Sequence, residues 1–391
     1  MLKKTNIKQD NITTMKYLDK LFEIKDALNH TEESNRIFLE AVKEAFKFHY
    51  SHSKVYKNLC DAEGFDIERI RSIDDVAYIP HLLVDAFKWY DLLSIDKKEV
   101  AATFTSSGTS GQKSHISWDK ASQERQSLMR RRIIESYGLK SDKKVNYQIF
   151  AYSPRVSEGK GAAYAHQMYS TFAPANKKVF AIDADENGKA YFNEKQCVDT
   201  FADFQKDGIP LRIVGFPAFI YDTLLYMKEN DIRFHFPEES LIIIAGGWKT
   251  AEAKSIPFDE FASLTKDYLG IDESRIRDVY GFVEHGVPYI TCEYHHFHVP
   301  VYSRAFVRKP GTLQVLPEGE KGLLQVISPY NYAQPALSIL STDYAIIHSH
   351  CPCGRTGQYI ELKGRAGLKK HEGCAITATE LLKATHDQAK N

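Results

Sequence analysis

Thr105-Ser106-Ser107-Gly108-Thr109-Ser110-Gly111-Gln112-Lys113 decides how the rest of this chain is read. The stretch holds five hydroxyls, two glycines and a lysine in nine residues. Glycines let the backbone turn until its N–H groups converge on an anion, and the hydroxyls and lysine complete a phosphate cradle. The Walker A spacing is absent, since no Gly-x4-Gly-Lys-[Ser/Thr] occurs here. The competing reading is a flexible, polar surface loop, and the surrounding chain has to decide between the two.

Bulk properties narrow the field. The chain has 391 residues, enough for a large core in more than one lobe. Its 51 basic and 51 acidic side chains balance, so no general field for nucleic acid is expected. The start, Met1-Leu2-Lys3-Lys4, is charged and polar, which predicts no signal peptide. No apolar run approaches the roughly 18 residues of a membrane span. A cytoplasmic protein is expected. Six cysteines in a chain this long are not a disulfide framework. Cys60 and Cys197 stand alone and read as packed, inert thiols.

Apolar spacing predicts helix through much of residues 11–60, in 122–137 and in 218–225. Strands are expected at 145–150, 178–182, 211–215 and 241–245, with helical segments between them. Such alternation predicts an α/β sheet with ligand sites at the strand ends. After about Val299 the pattern turns β-rich, at 301–307, 312–316 and 322–327. The expected division is an α/β domain over 1–365, with a small β subdomain at about 290–363, and a short C-terminal segment over 366–391. The aromatic run Tyr164-Ala165-His166-Gln167-Met168-Tyr169 suits either a pocket wall or the core.

Further stretches follow the glycine-rich one in order: Gly215-Phe216-Pro217, Ala245-Gly246-Gly247-Trp248-Lys249, Asp278-Val279-Tyr280-Gly281-Phe282-Val283-Glu284, and Ser341-Thr342-Asp343 with Gly364-Arg365 beyond it. Together they suit activation of a carboxylate by ATP. Phosphate charge has to be neutralised by Mg²⁺, a lysine such as Lys113 and N–H donors. Glu284 offers a hard oxygen for Mg²⁺. Tyr280 is placed to stack on adenine, and Asp343 to accept from both ribose hydroxyls. Singly, each match has a duller reading: a glycine pair is often a turn and an isolated aspartate a cap. It is the sequence order of the set that argues for a nucleotide site.

On these residues the chain resembles the acyl-protein synthetase (LuxE) branch of adenylate-forming enzymes, whose relatives include phenylacetate–CoA ligases. The resemblance runs from Phe104–Ser114 through Phe219-Ile220-Tyr221, Gly246–Lys249 and Gln334-Pro335 to Glu372-Gly373-Cys374-Ala375 and Glu380-Leu381-Leu382. It implies three steps: a fatty acid and ATP give acyl-AMP, the acyl group passes to a cysteine of the synthetase, and a partner acyl reductase receives it. The position matching the family's cysteine is Cys374. A thiolate suits attack on a mixed anhydride, and Lys369, Lys370 and His371 would lower its pKa. The duller reading is a small packed residue opening a helix over 375–384. Relatives that load coenzyme A carry a further mobile domain after the Gly-Arg hinge, whereas 26 residues follow Arg365 here. The aspartate usual just past that arginine is replaced by Ala366-Gly367. Lys369 or Lys370 stands where a substitute for the missing domain's lysine is needed.

Cys292-x5-His298 and Cys351-x-Cys353 have the paired spacing of a structural Zn²⁺ site. His295, His296, His348 and His350 compete for the imidazole place, and the resemblance to phenylacetate–CoA ligase relatives favours His298. The alternative is a set of reduced cysteines without metal. Four protein ligands would leave no position for water, so such a zinc would be structural. Two other functions compete with the acyl-protein synthetase: an aryl- or acyl-CoA ligase, and a non-catalytic nucleotide-binding regulator. The retained charges of Lys113, Glu284 and Asp343 speak against the regulator.

Overall fold

The computed structural model describes residues 16–105, 114–156, 168–185, 188–248 and 256–365. Residues 106–113, with most of the opening stretch, and 366–391, with Cys374, lie outside the described residues, as does most of 164–169.

Five parallel strands form one half of the sheet. Their spatial order is Ala175–Ala184, Val145–Tyr152, Leu211–Gly215, Leu241–Ala245, Ile276–Tyr280. The strand that comes first in the chain is second in space, so the order reverses beside it. Ligands of open α/β sheets bind at that reversal, outside the carboxyl ends. Every residue of 145–152, 211–215 and 241–245 is buried, as a strand covered on both faces requires.

The helices between them have readable causes. Glu194–Asp207 starts at Asn193, whose side chain accepts from the Gln196 N–H, and stops at Gly208 in the left-handed region. It buries Cys197, Val198, Phe201 and Phe204. Pro217 opens Pro217–Glu229 with its fixed φ. Phe258–Leu269 ends at Gly270, φ 71°.

Beyond Tyr280 the pairing becomes antiparallel and continues in the same sheet. Tyr289–Thr291, Phe297–His298, Tyr359–Arg365, Ser338–His348, Lys321–Ile327, Arg304–Arg308 and Val315–Leu316 follow in spatial order. Leu82–Leu83 adds a parallel pair to the start of Ser338–His348. The expected β-rich segment is thus hydrogen-bonded directly onto the parallel half.

At the N-terminal side, Lys16–Glu23, Glu32–His52 and Lys54–Ala62 are helices, and Thr31 and Ser34 form a capping box ahead of the second. Lys120–Ser136 is capped by Asp119. The hairpin Val100–Thr105 with His115–Asp119 brackets the glycine-rich stretch. Cys60 and Cys197 are buried, and burial pushes the Cys60 thiol up to about 12 and Cys197 higher still, as inert thiols should be. No described helix is long and apolar enough to cross a membrane.

Candidate active site

The carboxyl ends of three parallel strands crowd together, and the glycines there are forced. Gly215 has φ 147°, and a Cβ on it would lie 2.2 Å from the Phe150 carbonyl oxygen. Gly246, φ 90°, faces the Phe216 ring at 2.9 Å. Gly247 is also left-handed, at φ 61°. Aromatic rings stand around these turns. Tyr221 meets Trp248 edge-on at 5.7 Å, and Trp248 meets Phe261 at 6.4 Å. Phe216 neighbours Tyr152 and Phe219. This is an apolar wall beside two glycine turns.

Strand Ile276–Tyr280 delivers the next group. The Tyr280 hydroxyl donates to Asp343 Oδ2 at 2.7 Å, and Arg365 Nε donates to Oδ1 at 3.0 Å. Asp343 and Arg365 are register partners, and the ladder shifts just past Asp343. A bulge of this kind turns a side chain out of the regular alternation. A carboxylate can accept about four hydrogen bonds, and among the described residues Tyr280 and Arg365 supply one to each oxygen. Burial, then the Asp343 charge, pushes the Tyr280 hydroxyl well above its usual value, so it remains a donor. The Asp278 carboxylate turns back to accept from the Val279 N–H at 2.7 Å. Gly281 packs closely under Val287.

Glu284 sits in the turn after that strand, where the Phe282 carbonyl accepts from both His285 and Gly286 N–H groups. Its side chain is only 7 % exposed. Burial pushes the carboxyl up, and a hydrogen bond from Ser114 pulls it back. Ser114 is the first described residue after Lys113, so the exit of the glycine-rich stretch lies against Glu284. Lys88 also lowers the Glu284 pKa. The sequence placed Ser114 in the resembling stretch without giving it a role and did not single out Lys88, because only the fold brings the two near Glu284.

The cysteine–histidine group is assembled. Ligand atoms of Cys292, His298, Cys351 and Cys353 all lie within 4.8 Å of one another. Cys292 Sγ is 3.7 Å from Cys351 Sγ, and Cys353 Sγ is 3.2 Å from His298 Nε2. A tetrahedron with metal–sulfur bonds of about 2.3 Å has edges of about 3.8 Å, so the spacing fits a metal shell. Burial first, then the charge of Arg355, lowers His298 to about 4, which keeps the imidazole neutral. Burial raises Cys351 to about 12. It opposes ionisation of Cys353 as well, but the Arg355 backbone N–H and guanidinium outweigh it and hold that thiol below its ordinary value. Among the competing histidines, His296 Nδ1 is 3.1 Å from Cys351 Sγ, while His348 pairs with Glu361 and His295 packs on Phe258.

A parallel sheet with glycine turns at its carboxyl ends, continued by antiparallel strands that bring an Asp and an Arg to the same edge, defines an adenylate-forming fold. Solved structures agree. The chain is similar to 2-hydroxyisobutyryl-CoA ligase with bound 2-HIB-AMP and CoA, with TM-scores of 0.62 and 0.63 in two states at 15 % identity. The second match covers 87 % of this chain and 70 % of that one. At this identity the likeness shows the fold.

The chain belongs to the family "Acyl-protein synthetase, LuxE", whose model matches residues 3–383. It is a ligase of that family. Curated relatives are long-chain-fatty-acid–luciferin-component ligases: that of Aliivibrio fischeri is 29 % identical, covering 97 % of both chains, and that of Vibrio harveyi 25 % identical, covering 97 % of this chain and 98 % of its own.

Proposed function

We propose that the protein activates a fatty acid with ATP as acyl-AMP and then takes the acyl group onto Cys374 for delivery to an acyl reductase. What carries this reading is the meeting of separated motifs at one sheet edge: Tyr280 and Arg365 on Asp343, and Glu284 against the exit of the glycine-rich stretch. The relatives' names point to a long-chain fatty acid, and the ring-lined wall around Gly246 suits an acyl chain.

In the first step a carboxylate oxygen attacks the α-phosphorus, the bond from that phosphorus to the β-bridging oxygen breaks, and pyrophosphate leaves. Asp343 holds the ribose hydroxyls, and Tyr280 and Arg365 fix its orientation. Tyr280 also presents its ring to the base. Thr105, Ser106, Ser107, Gly108, Thr109, Ser110, Gly111 and Lys113 cradle the departing phosphates. Gly246, Gly247 and Gly281 leave room for the adenylate, and Asp278 stiffens the strand that carries Tyr280. Glu284 would hold Mg²⁺, which would neutralise phosphate charge. In the second step the Cys374 thiolate attacks the acyl carbon and AMP leaves.

The Cys292, His298, Cys351 and Cys353 donor set fits a closed Zn²⁺ site, three thiolates and a neutral imidazole, with a structural role. Pyrophosphate release dependent on fatty acid but not on coenzyme A tests the reading. Release that requires coenzyme A, or none with any fatty acid, overturns it.

A further inference from the structure

We propose that the Cys292–His298–Cys351–Cys353 cluster is a clamp on the seam of the sheet, through which bound metal sets the affinity of the nucleotide site at the seam's other end. The inference rests on the reading of Asp343 as the ribose-binding carboxylate.

The seam is where the parallel half meets the antiparallel half. It runs through two short strands, Tyr289–Thr291 and Phe297–His298. Each of its pairings holds only two residue pairs, against six between Lys321–Ile327 and Ser338–His348. So short a ladder closes weakly by itself. The donor cluster crosses it. Cys292 directly follows Tyr289–Thr291, His298 ends Phe297–His298, and Cys351 and Cys353 lie between Ser338–His348 and Tyr359–Arg365. A metal there ties the middle strands to the loop joining the outer two.

The other closure of the seam is the nucleotide site itself. Tyr280, register partner of Tyr289, reaches across to Asp343, which Arg365 holds from its own side. Tyr289 and Cys292 are three residues apart, about 10 Å at about 3.3 Å per residue. Loss of metal frees one end of the short strand Tyr289–Thr291, whose other end pairs with Tyr280. The site is then correctly formed in a smaller fraction of molecules, and apparent affinity falls by that fraction. A second tie spans the same seam without metal: Arg355 Nη1 donates to both Glu293 oxygens, at 3.0 and 2.8 Å, and the guanidinium lies over Tyr137. Metal-free protein should therefore stay folded.

The test measures binding of a non-hydrolysable ATP analogue to full-length protein as purified, after chelation, and after zinc is restored. Stripping should raise the analogue's Kd at least about fivefold, with recovery on adding zinc, and leave displacement of a fluorescent fatty acid unchanged. Amide exchange in 276–291 and 338–348 should quicken in the stripped protein. Cys353→Ser should behave as the stripped protein does. Tyr280→Phe, which already lacks the cross-seam bond, should respond less to stripping, a non-additivity that a merely stabilising metal would not produce. An unchanged Kd on stripping, an absence of metal in the purified protein, or global unfolding on chelation each overturns the proposal. If the metal-loaded protein binds no analogue at all, the functional reading fails and takes the proposal with it. Equal binding with and without metal sinks the proposal alone.

Discussion

At the scale of single residues the account turns on Glu284, a carboxylate kept at 7 % exposure beside the end of the glycine-rich stretch. Its folded-state pKa lies above the value of about 4.3 expected in the unfolded chain. Whatever stability it contributes is therefore present below the unfolded value and lost as pH rises through the folded one. Near neutral pH its charge is a cost to folding, retained for what it does in the site. Glu284→Gln should thus melt at or above wild type near neutral pH, with the advantage shrinking toward pH 4. The same variant should lower acyl-AMP formation more than tenfold, which requires only about 1.4 kcal/mol of lost transition-state contact. Lys113→Ala should do likewise. In wild type, activity at limiting Mg²⁺ should fall in acid at a pH above the ordinary carboxylate range. Wild-type rates of pyrophosphate release in both variants would remove these residues from the site.

Among the elements, the strand ends and the seam carry the site. Gly215→Ala places a methyl against the Phe150 carbonyl with the backbone in the left-handed region. A loss of about 1–3 kcal/mol is expected, read as a lower midpoint in denaturant; an unchanged midpoint would mean the two strand ends can part freely. Elemental analysis of protein purified without added metal should find about one zinc per chain, since three thiolates and an imidazole at tetrahedral spacing make a closed zinc shell. The strands were the legible part of the fold. Leu211–Gly215 and Leu241–Ala245 are short, β-branched runs that lead into glycine turns, and their bounds match the expectation. Short elements were not legible. The helix Ala86–Trp89 and the strands Phe297–His298 and Leu82–Leu83 are too brief for a periodic signal, and they form because neighbours in space complete them. The strand His115–Asp119 was hidden for the same reason: its partner strand supplies the pairing.

For the whole molecule, the family and the order of the motifs were legible because glycines, an aspartate and paired cysteines each announce a local chemical need. Their contacts were not. Nothing in the sequence pairs Tyr280 with Asp343, 63 residues away, or sets Ser114 beside Glu284; both follow from which strands become neighbours. In the proposed function, the step that distinguishes an acyl-protein synthetase from a coenzyme A ligase belongs to Cys374, outside the described residues. It is tested most directly by intact-mass measurement of wild type and Cys374→Ser after incubation with ATP and a long-chain fatty acid, with pyrophosphate followed in parallel. The account predicts pyrophosphate release in both, an acyl adduct on wild type alone, and loss of that adduct in hydroxylamine, as a thioester requires. A serine hydroxyl leaves almost no oxyanion near neutral pH and is a poor substitute. A hydroxylamine-sensitive adduct on Cys374→Ser, or efficient acylation of coenzyme A by that variant, would contradict it.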